Sequence, residues 1–415
     1  MEDFRKKLEG YVANKCNQYR SGKLLPLMMP TFGAEEIMEA FDSMVEMNVT
    51  MGKKVTQFEK EFVEYLKSEY ATMVNSGSSA NLLALSILAN PSISDPIKPG
   101  DDVIVPSVTW STSIFPIINI GAKPVLVDVD QDYVIDCEKL KEVISNKTKA
   151  IIPVHLLGNV CDMNAVKDIA DDHKLYVVED CCEALGSEYK GKKVGTLSDL
   201  SSFSFYFSHH ITTVEGGMLC TGNFEYGDLA RILRAHGYVR HALKKEKYTA
   251  ASPEIDPRFL FVNLGYNFRA CDLQGAFGIR QLQKLEGFIG TRIKIAKAFI
   301  QRLKTYEDYL LLPRKKSDTR HSWFAFPITV KANDKFTRNE LMQYLEEKGV
   351  ETRPLVCGNF ADQPVMKMFN HGKGDLSNAE NIMKNSFYFG IHHNIEDDTV
   401  EKVGKIFNEF FSKLR

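Results

Sequence analysis

Three short stretches of the chain carry residue types whose spacing permits chemistry. In VNSGSSANLLAL an apolar strand pattern runs into Ser76, Gly77, Ser78 and Ser79, and a helical pattern follows. Small residues at a helix start leave amides and hydroxyls free for an anion, and the helix dipole favours negative charge there. The turn therefore reads as a phosphate cradle, although the same residues are also ordinary helix caps. In LYVVEDCCEALGS, Glu179 and Asp180 close an apolar strand. A carboxylate at the C-terminal end of a parallel strand lies where ligands bind in such sheets, and a buried one needs a cationic partner. A protonated pyridine nitrogen would serve, and the pairing would make that ring an electron sink. A helix cap or a loop ion pair is the plainer alternative. In SFSFYFSHHITTVEGG, His209 and His210 follow a strand and precede Glu215, Gly216 and Gly217. Imidazole titrates near neutral pH and suits general acid-base work. Adjacent side chains diverge, so one histidine of the pair faces the chemistry. Zinc is disfavoured, because neighbours in sequence rarely share an ion and no third ligand accompanies them.

Each stretch needs a strand end beside a helix or turn, and the surrounding pattern supplies it. From about Ala71 to Gly222, the runs ATMVNS, DDVIVPS, KPVLVDVD, AIIPVHLLG, LYVVED, SSFSFYF and GMLCTG alternate with helical stretches such as NLLALSILAN, CEKLKEVIS and MNAVKDIADDH. This predicts an α/β fold with a mostly parallel sheet covered by helices. Past Lys284 come a long helical stretch, LEGFIGTRIKIAKAFIQRLKTY, a strand, WFAFPITVK, a helix, TRNELMQYLEEKG, a strand, VETRPLVCG, and a closing helix. The expected organisation is an N-terminal helical segment over 1–50, a large domain over 51–285 and a smaller C-terminal α/β domain over 286–415. The lysine-rich stretch 241–257 reads as an exposed loop, long enough to be functional.

Bulk composition narrows the partners. A net charge of -2 on 415 residues provides no field for nucleic acid or a membrane surface. No run approaches the roughly 18 apolar residues of a membrane span, and the first ten residues have no export-signal pattern, which makes cytoplasm the default. The eight cysteines form no C-x-C or C-x-x-C pair, so free thiols are expected and no metal site.

Taken together, GSSANLLAL, PSVTWSTS, PVHLLGN, VVEDCCEALGS, SFSFYFSHHITTVEGG and NLGYNFRACDLQGAFGIRQL are similar, in order and spacing, to the sugar aminotransferase family of the DegT/DnrJ/EryC1/StrS type. These are pyridoxal-phosphate enzymes of the aspartate-aminotransferase fold that act on nucleotide-linked keto sugars. The resemblance runs from about Met51 to the C-terminus. It implies a large domain with a mostly parallel sheet and a smaller C-terminal domain. It places Gly77, Ser78 and Ser204 on the cofactor phosphate, Trp110 against the pyridine ring and Asp180 on the ring nitrogen. Asn267, in the GYNFR turn, would reach a neighbouring subunit's phosphate, which implies a homodimer with shared active sites. Glu183 stands where the family usually has glutamine, and its role is left open.

His209 lies six positions before Glu215, where the family carries its cofactor-binding lysine. An imidazole cannot hold the aldehyde cofactor covalently. The resemblance is then to the histidine-for-lysine branch, in which pyridoxal 5'-phosphate and pyridoxamine 5'-phosphate work untethered. The implied activity is removal of the C3 hydroxyl from a nucleotide-linked 4-keto-6-deoxy sugar, for a 3,6-dideoxy sugar of bacterial surface polysaccharide. His209 would move the protons, and L-glutamate would restore the amine form of the cofactor. Two alternatives stay open: a reductase-coupled 3-deoxygenase, whose iron-sulfur cluster needs closely spaced cysteines absent here, and a nucleotide-sugar-binding protein without catalysis. On the substrate side the resemblance points to His210, His321 and Arg353, in SHHITT, TRHSWFAFP and TRPLVCGN. Core packing or a surface ion pair are their plainer roles.

Overall fold

The structure is a computed structural model that describes residues 2–19, 21–314 and 316–414. All seven strands expected in the first half form: β1 (Tyr70–Val74), β2 (Asp102–Pro106), β3 (Lys123–Val127), β4 (Thr148–Ile151), β5 (Tyr176–Asp180), β6 (Leu200–Ser204) and β7 (Gly217–Thr221). They lie side by side in the order β1-β7-β6-β5-β4-β2-β3, and the short strand Gly372–Lys373 extends the edge beyond β3. Neighbours are parallel except at β7, which runs antiparallel to both β1 and β6.

Strand periodicity explains why these runs are apolar almost throughout. Along β2, Val103 and Val105 face one core while Ile104 faces the other. A sheet buried on both sides needs apolar residues at successive positions, not only alternate ones. One face packs against helix Gly77–Leu88 through Leu83, Ala84 and Ile87, and the other against helix Lys53–Leu66 through Phe58 and Phe62. Phe62 meets Phe203 edge-on at 5.2 Å, and Phe58 meets Phe205 at 5.3 Å. These contacts anchor β6 and the segment that carries it toward His209.

The second half builds a small antiparallel sheet in the order Leu310–Leu311, Ala325–Val330, Ser386–Gly390, Thr352–Pro354. Its core includes Phe326, Phe387, Phe389 and Phe407. The helix Asp272–Leu303 is unbroken across the expected boundary at 285/286. Ile279, Leu285 and Ile289 pack under the large sheet, whereas Ile295, Phe299 and Leu303 pack under the small one. One apolar stripe thus continues through both cores. Nor is the N-terminal segment separate: Leu25 is buried in the small-domain core and bridges Val350.

The stretch 241–257 differs from the expected loop. It contains a helix, Lys245–Ala251, none of whose residues is buried. KEKYTAA consists largely of good helix formers, and the Tyr248 hydroxyl ties the helix down by donating to Asp228 Oδ2 at 2.8 Å. All eight cysteines are free. Among the described residues no helix is long and apolar enough to cross a membrane.

Candidate active site

A cavity of about 610 Å³ opens at the C-terminal ends of β1, β5 and β6, with the small domain as its opposite wall. It gathers Gly77, Ser78, Trp110, Asp180, Ser204, His209 and Arg353 from six separate points in the sequence.

At the end of β1, Ser76 caps helix Gly77–Leu88 by accepting the Ser79 amide at 3.1 Å. The first-turn amides of Gly77 and Ser78 lie outside the helix's own hydrogen bonding, which is what an anion needs. Gly77 allows the close approach of β6: a Cβ there would sit 2.6 Å from Ser204 Cβ and 3.1 Å from Cys182 Sγ. Trp110 stands just before helix Ser111–Asn119, with an indole that is 60% exposed although it lines the cavity.

At the end of β5, side-chain alternation sends Glu179 and Asp180 to opposite sides. Glu179 turns into the core, where it accepts the Gly195 amide at 2.8 Å, the Leu197 amide at 2.9 Å and the Ser198 hydroxyl at 2.7 Å. It also shares a hydrogen bond with His155 at 3.1 Å. With Cys181 these two residues bring metal-ligand atom types together, but the amide bonds show a core network that fixes the strand end. Asp180 faces the cavity and is only 5% exposed. It accepts Asn81 Nδ2 at 2.9 Å and the Ser113 hydroxyl at 2.7 Å on one oxygen, and the Cys182 amide at 3.1 Å on the other. Asn81 is itself held by the Ser202 hydroxyl at 2.6 Å.

His209 sits on the turn after β6, between two aromatic edges. Its ring lies 5.1 Å from Phe324 at 72° and 5.9 Å from Tyr206 at 86°. Its Nδ1 is buried and meets no partner. Burial, reinforced by the positive charge of Arg292, lowers its pKa to about 4, so the imidazole is neutral at physiological pH.

Two expected substrate residues are placed elsewhere. His210 is fully buried outside the cavity lining and donates from Nε2 to the Ser322 carbonyl at 3.1 Å. The divergence of adjacent side chains turned it into the domain junction. His321 also lies outside the lining. It stacks on Trp323 at 3.9 Å, and its Nδ1 accepts the Trp323 amide at 2.9 Å. Both are thus corrected from cavity contacts to packing residues. Arg353 combines its two readings: it lines the cavity and also donates to Glu351 Oε1 at 3.0 Å and to the Thr352 carbonyl at 2.7 Å. Asn267 is outside the cavity, bridged to Ala235, and accepts from Arg269 Nε at 2.9 Å.

The cavity also contains groups to which the sequence assigned no role. Glu183 lines it and accepts the Leu157 amide at 2.8 Å, and burial pushes its carboxyl pKa up to about 7. Leu27 and Tyr388 arrive from the N-terminal segment and the small sheet. The departure from the family's glutamine was the one available signal for Glu183; no local pattern marks the other two.

A mostly parallel sheet with one reversed strand, a small domain on a shared helix and a ligand cavity between them make up the aspartate-aminotransferase fold. Residues 30–408 match the DegT/DnrJ/EryC1/StrS aminotransferase family, and the chain belongs to it. It is 39% identical over 390 residues to GDP-4-keto-6-deoxy-D-mannose 3-dehydratase of Yersinia pseudotuberculosis, covering 92% of this chain and 97% of that one. A solved GDP-4-keto-6-deoxymannose-3-dehydratase with a trapped PLP-glutamate geminal diamine superposes with a TM-score of 0.86 at 35% identity, over 92% of this chain and 99% of that chain. A histidine-to-asparagine mutant of that enzyme with bound GDP-perosamine gives 0.87 at 35% identity, over the same 92% and 99%.

Proposed function

We propose that this chain is a cytoplasmic nucleotide-sugar 3-dehydratase that uses pyridoxamine phosphate to remove the C3 hydroxyl of a nucleotide-linked 4-keto-6-deoxy sugar, for a 3,6-dideoxy sugar of surface polysaccharide. L-glutamate regenerates the amine form. The carrying observation is His209: a neutral imidazole with an unpartnered nitrogen stands in the cofactor cavity at the family's lysine position.

The residues present fit the cofactor. The Gly77 and Ser78 turn, closed by Ser204, suits a phosphate, and the Trp110 indole suits an aromatic ring face. Asp180 keeps lone-pair capacity for a ring N–H after accepting its three donors. Gly77→Ala is expected to push Ser204 and Cys182 aside and weaken binding of pyridoxamine phosphate about tenfold, ~1.4 kcal/mol. Fluorescence titration of the apo protein checks this, and unchanged affinity would place the phosphate elsewhere.

When bound, the cofactor supplies an electron sink that accepts charge from the carbon being deprotonated. His209 would take the proton at the cofactor's C4′ carbon and deliver one to the C3 oxygen as it leaves the sugar. In the glutamate half-reaction it would move the Cα proton of glutamate to C4′. A low pKa keeps His209 in the base form, and the wall of Phe324 limits water around it. Asp180, oriented by its bonds from Asn81, Ser113 and Cys182, would hold the ring nitrogen.

We infer further that the chain works as a homodimer joined near the GYNFR turn. Phe259, Phe261 and Leu264 stand exposed beside it, Leu264 at 90%. Apolar side chains clustered on a surface favour coverage by a partner, and Asn267 is then available to a neighbouring cavity.

The test is a turnover assay. Glutamate should convert bound aldehyde cofactor to the amine with release of 2-oxoglutarate, and sodium borohydride should not fix the cofactor to the chain. Mass spectrometry of 4-keto-6-deoxy sugar nucleotides should show glutamate-dependent loss of the C3 hydroxyl. Product formation that needs a reduced electron carrier instead of glutamate would replace this reading with a reductase-coupled one.

A further inference from the structure

Arg292 is an arginine with no acid beside it. It lies midway along helix Asp272–Leu303 and is 2% exposed, and among the described residues no carboxylate forms an ion pair with it. Burying an unpaired guanidinium is costly, so its hydrogen bonds show what holds it there. Nη1 donates to the carbonyls of Trp323, at 3.0 Å, and Phe324, at 3.1 Å, and also to that of Ile391. The first two belong to the segment entering the small sheet, and the third follows strand Ser386–Gly390.

That entering segment is held from several sides. Trp323 adopts φ +56°, a left-handed backbone that non-glycine residues rarely take without enforcement. The Ser322 amide donates to Ser187 Oγ at 3.1 Å, and the Phe324 amide to the Leu157 carbonyl at 2.9 Å. His210 donates to the Ser322 carbonyl at 3.1 Å. The outcome is a Phe324 ring fixed in the cavity wall, 5.1 Å from the His209 imidazole.

We propose that Arg292 is a positioning residue for proton transfer by His209: by gathering the Trp323, Phe324 and Ile391 carbonyls it fixes Phe324 against the imidazole and so sets the ring's orientation. The proposal rests on the reading of His209 as the base. Its second effect is electrostatic, because a fixed positive charge behind His209 opposes protonation of the ring, adding to burial. The same charge bears on His210, His392 and His393, which burial also keeps neutral. Around the cavity the ionisable groups are Asp180, Cys182, Glu183, Tyr206, Glu215, Arg353 and Tyr388.

The experiment compares Arg292→Met, Arg292→Lys and Phe324→Leu with the parent. One readout is the protonation midpoint of His209 in the apo protein, followed by NMR on carbon-13-labelled histidine and assigned with His209→Asn. The other is kcat and KM of the glutamate half-reaction. Arg292→Met should move the midpoint from about 4 toward the ordinary 6.5. It should also lower kcat by about tenfold or more, with KM for glutamate changed by less than about threefold. Arg292→Lys keeps the charge and should keep the low midpoint with part of the rate. Phe324→Leu should keep the midpoint and lose rate. A folded Arg292→Met protein with parental midpoint and kcat overturns the proposal. If that variant does not fold, Phe324→Leu with parental kcat overturns it. Failure of the underlying reading looks different: His209→Asn would then retain dehydration, whatever the NMR midpoint reports about Arg292.

Discussion

Replacing His209 with asparagine is expected to slow both loss of the C3 hydroxyl and the glutamate half-reaction by about 10³-fold, within the range that general acid-base catalysis supplies. Asparagine approximates the volume of the ring but carries no titratable nitrogen. Cofactor affinity should change little, because the Gly77–Ser78 turn and Asp180 are untouched. Stopped-flow absorbance of the bound cofactor separates the two half-reactions. If only one slowed, a single proton carrier for both would be wrong. His209→Lys provides the converse test. A lysine nitrogen at that place is expected to bind the aldehyde cofactor covalently, so borohydride should fix it to the chain, while deoxygenation falls away.

The second large effect is expected at Asp180. Asp180→Asn keeps the side-chain volume but removes the negative charge that a protonated ring nitrogen needs, leaving a single neutral acceptor oxygen. It also places an amide group against the donors of Asn81 and Ser113. Dehydration should fall by about 10² to 10³, the usual cost of deleting one aligned electrostatic contact in a buried site. Asp180→Ala should add a folding penalty of about 1 to 3 kcal/mol for each buried donor left without a partner. Thermal melts of the apo variants would show the added loss in alanine relative to asparagine. An Asp180→Asn enzyme with parental kcat would mean that Asp180 does not pair with the ring nitrogen.

How much of this was legible in the chain depended on how local the cause was. The seven strands could be read because a sheet covered on both faces requires apolar residues at consecutive positions, as Val103, Ile104 and Val105 show. His209 could be singled out through its fixed distance from Glu215, and Gly77 and Asp180 through their place at strand ends; the fold brings all three to one cavity. The pair His209 and His210 could be narrowed to one but not assigned from residue type, because the direction of the turn after β6 decides which ring meets the cavity. His321 was misplaced for a related reason: its contact is a stack on Trp323, two residues away, within a segment bent by tertiary bonds. Arg292 was invisible. In LEGFIGTRIKIAKAF an arginine looks like a solvated helix face, and only docking of the small sheet buries it. The helix in 241–257 was missed because it has no buried face, so no apolar period announces it.

The helix Asp272–Leu303 has a mechanical meaning. Because one rod is embedded in both cores, the chain has no free pivot between its two halves near 285/286. Changes in the width of the cleft must come from bending of a continuous helix and small sliding of packed side chains, which favours shear over a swinging hinge. The same continuity ties the melting of one half to the melting of the other, so a cut at that point would expose two half-buried stripes and not release two stable pieces.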